Sequence, residues 1–266
     1  MYKEGVVVMT NRKMTNRKIL VFSRHGKAPQ REDGGSIDSL VPETVTDLYT
    51  RVGCPLQAFV TEQGITAERT YLHHSPAVRT RYTGEAILAG AFNLQPRSGE
   101  NPPRSIDDLS NYNFRNDTYT DPRLFFGKPY INMTVYNANN AVCNGNMDYW
   151  LDNPDATEHD GAAIESYRSV EARVSTATKD ALQRLMNNDW DGYDFGVLIT
   201  HAGLIDTVAT TLIGTAQRVE KCADIGGGFA MAQGAQLVID KTATGVYTAH
   251  VERDGQRYKV DLDKLR

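Results

Sequence analysis

Two continuous apolar runs stand out along the chain, Ile19-Leu20-Val21-Phe22 and Phe195-Gly196-Val197-Leu198-Ile199. Neither alternates with polar residues, so each predicts a strand buried on both faces. Thr70-Tyr71-Leu72 is a third, shorter strand candidate. Between these runs the apolar positions repeat at helical spacing. Val45, Leu48, Tyr49, Val52, Leu56, Phe59 and Val60 share one helical face, and Gly53 and Pro55 predict a kink or restart within it. Ser75-Pro76 predicts an N-cap with proline at the first helical position, opening a helix through about Leu88. Asp160 is the candidate cap of a long helix to about Met186, facing inward through Ile164, Tyr167, Val174, Ala181 and Leu185. A further helix is expected over roughly Leu204 to Leu212.

Strands alternating with helices predict an α/β fold with a doubly wound, mostly parallel sheet and helices on both faces. The C-terminus reads differently. Leu237 to Asp240, Val246 to Val251 and Arg257 to Val260 are short strands separated by TATG and ERDG turns, which predict an antiparallel meander. Residues 95–160 are rich in Asn, Pro and Asp and only weakly periodic. A structureless loop of that length is unusual in a compact domain, so the stretch reads as a lid-like insertion over the substrate side. Residues 1–17 read as a dispensable tail carrying MTNRK twice, at 9–13 and 14–18. Residues 18–266 then form a single domain.

Composition narrows the partners. The 266 residues carry 33 acidic and 29 basic side chains, for a net charge of -4. That balance argues against a general nucleic-acid or anionic-membrane binder. No apolar run approaches the length a bilayer requires. The start of the chain has only the short apolar patch Val6 to Met9 before turning basic, unlike a secretory signal. Cys54, Cys143 and Cys222 are odd in number and lack metal-ligand spacing, so neither a disulfide framework nor a zinc site is predicted. The sequons at Asn116 and Asn132 read as chance in an Asn-rich stretch. A cytoplasmic globular protein without membrane or nucleic-acid partners is expected, and a homo-oligomer is compatible with the sequence.

The chemistry gathers at strand ends. The first apolar run leads into Ser23-Arg24-His25-Gly26 and the later one into Thr200-His201-Ala202-Gly203. In an open parallel sheet ligands sit beyond the carboxyl ends of the strands, which is where both histidines fall. Ser75 to Thr83 follows the third strand. With Ser75 capping, Arg79 lies one turn into its helix and aims back toward the N-terminus, where free N–H groups favour anions. Arg81 is the alternative inward residue. Arg24, Arg79 and the start of the Leu204 helix would surround a small positive pocket. Phosphate is its natural guest, because guanidinium groups grip phosphate oxygens bidentately. Lys27, Ser75 and Ala202 are the candidate binding contacts, with Arg31 a further cation. His73 and His74 are expected to pack or support, and His159 and His250 to face solvent. Gly226-Gly227-Gly228 lacks the Lys-Ser/Thr of a phosphate loop and reads as a tight turn beside the pocket.

Arg24-His25-Gly26, the Ser75-Pro76-x-x-Arg79 element with Thr83, and Thr200-His201-Ala202-Gly203 occur in order, each at a strand end. In these motifs the chain resembles the histidine phosphatase superfamily, the phosphoglycerate mutase-like enzymes, over about residues 18–90 and 160–240. The resemblance implies a metal-independent phosphatase with no cofactor, acting on phosphate esters, phosphoramidates or acyl phosphates of small molecules or phosphoproteins. His25 would attack phosphorus and form a phosphohistidine that water hydrolyses, while Arg24, Arg79 and His201 stabilise the transferring oxygens. Two departures bear on the proton donor. The mutase-like Leu-x-Glu has phenylalanine in place of glutamate in Leu124-Phe125-Phe126, and the His-Asp of acid phosphatases is His201-Ala202 here. Asp121 and Glu165 are the candidate donors, with Asp117 and Asp160 as further substitutes. A phosphoglycerate mutase-type phosphotransferase, or a weakly catalytic phospho-ligand binding protein, are the alternatives.

Overall fold

The computed structural model describes residues 17–29, 39–99, 101–109, 118–125, 148–159, 162–163, 165–186 and 192–265. Arg31, Asp117, Asp160, Ile164, Cys143, Phe126, Asn116, Asn132 and the MTNRK repeat up to Asn16 lie outside these residues. Arg17, placed in the tail by the sequence pattern, instead pairs with Asp240 as the first residue of the first strand. Seven strands form one sheet. They are β1 (Arg17–Arg24), β2 (Thr70–His74), β3 (Thr118–Thr120), β6 (Phe195–Thr200), β7 (Gly234–Lys241), β8 (Tyr247–Arg253) and β9 (Gln256–Val260). A separate two-stranded ladder pairs β4 (Glu158–His159) with β5 (Ala162–Ala163).

The sheet order is β3-β2-β6-β1-β7-β8-β9. The first four run parallel, and β7 to β9 continue the same sheet antiparallel. Gly245 (φ +81°) and Gly255 (φ +76°) take the left-handed backbone that the two tight turns between the last strands require. Side chains of the buried strands alternate between two cores. Leu20, Phe22 and Leu198 pack against α5 (Tyr167–Met186) and α6 (Leu204–Ile213) through Val174, Leu185 and Val208. Ile19, Val21 and Val197 face Val45, Leu48 and Ile87 on the other side. Each such side chain contributes about 1.5–3 kcal/mol by leaving water. Among the described residues no helix is long and apolar enough to cross a membrane.

The register matters more than the strand count. Arg24 lies level with Thr200, and His74 with Ile199. The residues that follow β1, β2 and β6 therefore leave the sheet together at one edge.

One expectation is met in detail here and two change. The interrupted helix begins as α1 (Pro42–Asp47), widens to a π-helical turn over Leu48–Gly53, tightens to a 3₁₀ turn at Cys54–Leu56, and resumes as α2 (Gln57–Gln63). The wide turn sits where Gly53 touches Gly90 of α3 (Val78–Ala91). Ser75 does not cap α3. Its backbone N–H still bonds Ile199 O in the sheet, and the helix starts only after Ala77. Part of the 95–160 stretch belongs to the sheet and core rather than lying over them. Thr118–Thr120 pairs beside β2, the Asp121 N–H donates to His74 O at 2.8 Å, and Leu124 and Trp150 are buried. The helix α4 (Ile106–Leu109) in this stretch is four residues long, and residues 148–152 are also helical.

A Cβ on Gly90 would stand 2.9 Å from the Gly53 Cα and closer still to the Tyr49 carbonyl. Backbone cannot yield as a side-chain tip can. Gly90→Ala is expected to destabilise by about 2 kcal/mol, read as a lowered urea midpoint with unchanged slope.

Candidate functional site

The β1 exit is pinned from three sides. The His25 N–H donates to Thr200 O at 2.9 Å, the Gly26 N–H donates to Thr83 Oγ1 at 2.9 Å, and Arg24 N–H donates to Gln233 O at 3.0 Å. Thr83 Oγ1 in turn donates to Arg79 O at 2.8 Å, which ties the α3 helix to the turn. Gly26 has to be glycine for space, since a Cβ there would run into Thr44 of α1.

Around this turn the charged and titratable groups converge. His25 Nδ1 lies 2.7 Å from Gly26 O, so it carries the proton and leaves the Nε2 lone pair outward. Arg79 reaches both histidines. Its Nε is 3.4 Å from His25 Nε2 and its Nη2 is 3.4 Å from His201 Nδ1. The two imidazoles are 5.0 Å apart and inclined at 66°. His201 Nε2 lies 2.8 Å from Ser75 Oγ, which in turn lies 3.1 Å from Thr80 Oγ1. Arg24 is buried and donates from Nη1 to Phe229 O at 3.0 Å.

Both histidines are held neutral. Burial, then Arg79, then Arg24 push His25 down to about 3, against the opposing pull of the Gly26 carbonyl. Burial, His25, Arg79 and Arg24 push His201 down to about 2. A buried cluster with two guanidinium groups penalises a third positive charge. The arrangement has a deprotonated nucleophilic nitrogen facing fixed cationic donors, which suits capture and displacement at an anionic phosphorus centre.

Arg24, His25, Ser75, Arg79 and His201 are brought together as the sequence predicts. Arg79 rather than Arg81 turns inward, because Arg81 is 44% exposed and paired with Glu85 at 2.7 Å. Ala202 is buried in the turn after His201. Lys27 is exposed, and its backbone oxygen accepts from the Val41 N–H at 3.0 Å. Gly226 and Gly227 both have positive φ and form the expected tight turn. His250 is half-buried beside Glu252 at 2.9 Å, where exposure was expected.

The two candidate donors are committed elsewhere. Asp121 is buried and accepts from His73 Nε2 at 2.8 Å and from Arg123 Nη2 at 2.7 Å. Burial alone would raise its carboxyl, but the hydrogen bonds from His73 and Arg123 outweigh that and hold it well below the usual carboxylate range. A carboxyl so held has no proton to give at neutral pH. Glu165 forms a two-pronged pair with Arg173, at 3.0 and 2.7 Å, and also accepts from Ser169.

Three further residues that the sequence reading does not single out support the site. Asp206 of α6 accepts from the Gly203 N–H at 2.8 Å and the Phe229 N–H at 3.0 Å, fixing the turn after His201 and the residue whose carbonyl holds Arg24. Burial raises its carboxyl pKa. Arg253 donates to the carbonyls of Ile225, Gly227 and Gly228 and stacks 3.8 Å over Phe229. Phe125 meets the His201 ring edge-on at 5.4 Å, its segment tied down by Thr200 Oγ1 donating to Leu124 O at 2.7 Å. Asp206 follows a Thr-His-Ala-Gly turn by three residues, an N-capping spacing that could have exposed it. Arg253 and Phe125 depend on distant strands. Among the described residues no three His, Cys, Asp or Glu side chains gather to hold a metal ion. A cavity of about 390 Å³ between Arg51, Gln236 and Arg257 shares none of the cluster's four charged and imidazole side chains.

No protein-family model matches the chain, and no curated protein matches it either. Among solved structures it is similar to a mycobacterial glucosyl-3-phosphoglycerate phosphatase, 17% identical with a TM-score of 0.48 over 89% of this chain and 97% of that one. It is similar to a phytase of Klebsiella sp., 14% identical with a TM-score of 0.44 over 88% of this chain and 82% of that one. A phosphoglycerate mutase of Plasmodium falciparum is 12% identical with a TM-score of 0.43, over 93% and 96% of the two chains. The chemistry of the site is read from its own geometry.

The depressed histidines set a stability window. Above about pH 6.5 neither folded nor unfolded chain protonates these rings. As pH falls from there toward about 3, the unfolded chain takes up protons that folded His25 refuses, so stability is lost. The expected slope is up to about 1.4 kcal/mol per pH unit per ring. Urea unfolding at pH 7, 6 and 5 should show it, and the His25→Asn, His201→Asn double variant should flatten it.

Proposed function

We propose that the chain is a phosphohydrolase that works through a phosphohistidine on His25. One observation carries the reading: a neutral imidazole with its proton fixed on the far nitrogen presents its lone pair to an arginine that also reaches a second neutral histidine. Phosphoryl transfer requires a nucleophile that is uncharged and a surround that is positive, and few other reactions require both.

In the first step His25 Nε2 attacks phosphorus in line, the N–P bond forms and the P–O ester bond breaks. Nδ1–H stays on Gly26 O, so the positive charge that develops on the ring is shared with a backbone dipole. Arg24 and Arg79 hold the equatorial oxygens, and they gain most as charge spreads in the transition state. His201 can donate from Nδ1 once Ser75 Oγ–H turns to donate to Nε2, a tautomer the 2.8 Å contact permits. Water then attacks phosphorus from the face the leaving group vacated, and orthophosphate departs. With Asp121 ionised and Glu165 paired, the leaving oxygen takes its proton from solvent in this reading, which favours substrates with stable leaving anions. The arginines supply the positive charge, so the proposed mechanism needs no metal. A phosphorylated small molecule is the proposed substrate class.

Hydrolysis of p-nitrophenyl phosphate tests this directly. Turnover should persist in chelator and vanish in His25→Ala, and Arg79→Ala should lower kcat about 100- to 1000-fold. Enzyme quenched in detergent at alkaline pH should carry phosphate on histidine that is stable to base and released by acid. Loss of turnover with chelator would sink the mechanism. Phosphate binding without turnover would favour a phospho-ligand binding protein instead.

A further inference from the structure

Among the described residues four large apolar side chains stand exposed: Val78 at 42%, Phe125 at 42%, Met231 at 41% and Val246 at 58%. Three of them flank the histidine and arginine cluster. Val78 opens α3 immediately before Arg79. Phe125 packs edge-on against the His201 ring at 5.4 Å. Met231 precedes Ala232, whose N–H donates to His25 O at 3.3 Å. Val246 is different. It follows the turn after β7, at the opposite end of the sheet from the β1 exit, as the antiparallel register of Ser23 with Gly234 and Arg17 with Asp240 requires.

Single exposed apolar residues need no explanation, but three from separate chain segments around one anion site do. They come from the α3 start, the segment after β3 and the loop before β7, three segments that each also supply a contact to the cluster. Phe125 is also held in place, since Thr200 Oγ1 fixes the Leu124 carbonyl beside it. An aromatic ring on such a wall is favoured by stacking and by lost apolar hydration, whereas a sugar or glycerate would meet few hydrogen-bond partners there.

We infer that Phe125, with Val78 and Met231, is the specificity-determining rim of the site and selects aryl phosphates, esters whose leaving group is aromatic. The inference rests on the phosphohydrolase reading above. The chemistry agrees on an independent point. A phenol, with a pKa near 10, departs as a stable phenolate and needs no general acid, which suits a site whose Asp121 is ionised. Nε2–P forms as the aryl O–P bond breaks with its electron pair on oxygen. Water then attacks phosphorus, Nε2–P breaks with its pair returning to the ring, and the water's oxygen ends on orthophosphate and one of its protons on the phenolate.

The test compares 2-naphthyl phosphate with acetyl phosphate, which also has a good leaving group but no ring. In Phe125→Ala the ratio of kcat/KM for 2-naphthyl over acetyl phosphate should fall roughly tenfold, and Phe125→Tyr should restore it. Met231→Ala should lower the same ratio. Inhibition by vanadate reports whether the anion site is intact in each variant. If Phe125→Ala weakens vanadate, Met231→Ala read with the same two esters decides the matter. A ratio unchanged in a vanadate-competent variant overturns the rim. A wild-type protein that hydrolyses neither ester instead sinks the phosphohydrolase reading, and binding of 2-naphthyl phosphate more than tenfold tighter than inorganic phosphate would still uphold the rim.

Discussion

Arg79 stands 3.4 Å from a ring nitrogen of each of two buried histidines, and this arrangement holds only while both rings are uncharged. Everything near the site serves that condition. Burial removes the water that would solvate an imidazolium, and the adjacent guanidinium groups repel one. The same repulsion that keeps the rings neutral leaves net positive charge in the pocket. An anion is therefore the one kind of group whose entry relieves the strain of like charges held together, and a neutral nucleophile is waiting for it.

Positive side chains do not stay clustered unaided, so the surrounding backbone has to hold them. Thr83 links the Gly26 N–H to the first turn of α3. Asp206 fixes both the turn after His201 and Phe229, whose carbonyl anchors Arg24. Arg253 closes the glycine turn from the antiparallel half of the sheet. The antiparallel strands thus have a part in the site although none of their side chains reaches the histidines. They deliver one buried cation to the carbonyls of Ile225, Gly227 and Gly228.

Much of this was legible in order along the chain. The apolar runs of β1 and β6 and the periodic face of α6 appear where expected, because a strand or helix buried on a long face leaves an unmistakable pattern. α5 carries its expected face but begins at Tyr167 rather than after Asp160, with β5 at Ala162–Ala163 in between. Arg24, His25, Arg79 and His201 were readable because each directly follows a strand or opens a helix, and strand ends in a parallel sheet converge. Ser75 was misread because Ser-Pro is a capping signal only when the strand has already ended. Here the sheet keeps hold of Ser75 for one more hydrogen bond and turns its hydroxyl toward His201. β3 was hidden inside a stretch without periodicity, since a three-residue edge strand is too short to leave one.

By itself, then, the sequence determined the layered α/β core and which side chains stand at the sheet's carboxyl edge, since burial and strand order are properties of local pattern. Tertiary structure alone decided what those side chains do. It chose Arg79 over Arg81, turned Asp121 from a candidate acid into an ionised anchor, and set the Phe125 ring against His201. Protonation and orientation depend on the nearest charges and the depth of burial. His73 lies 48 residues from Asp121, and Arg79 lies 54 residues from His25 and 122 from His201, separations that no local reading can bridge.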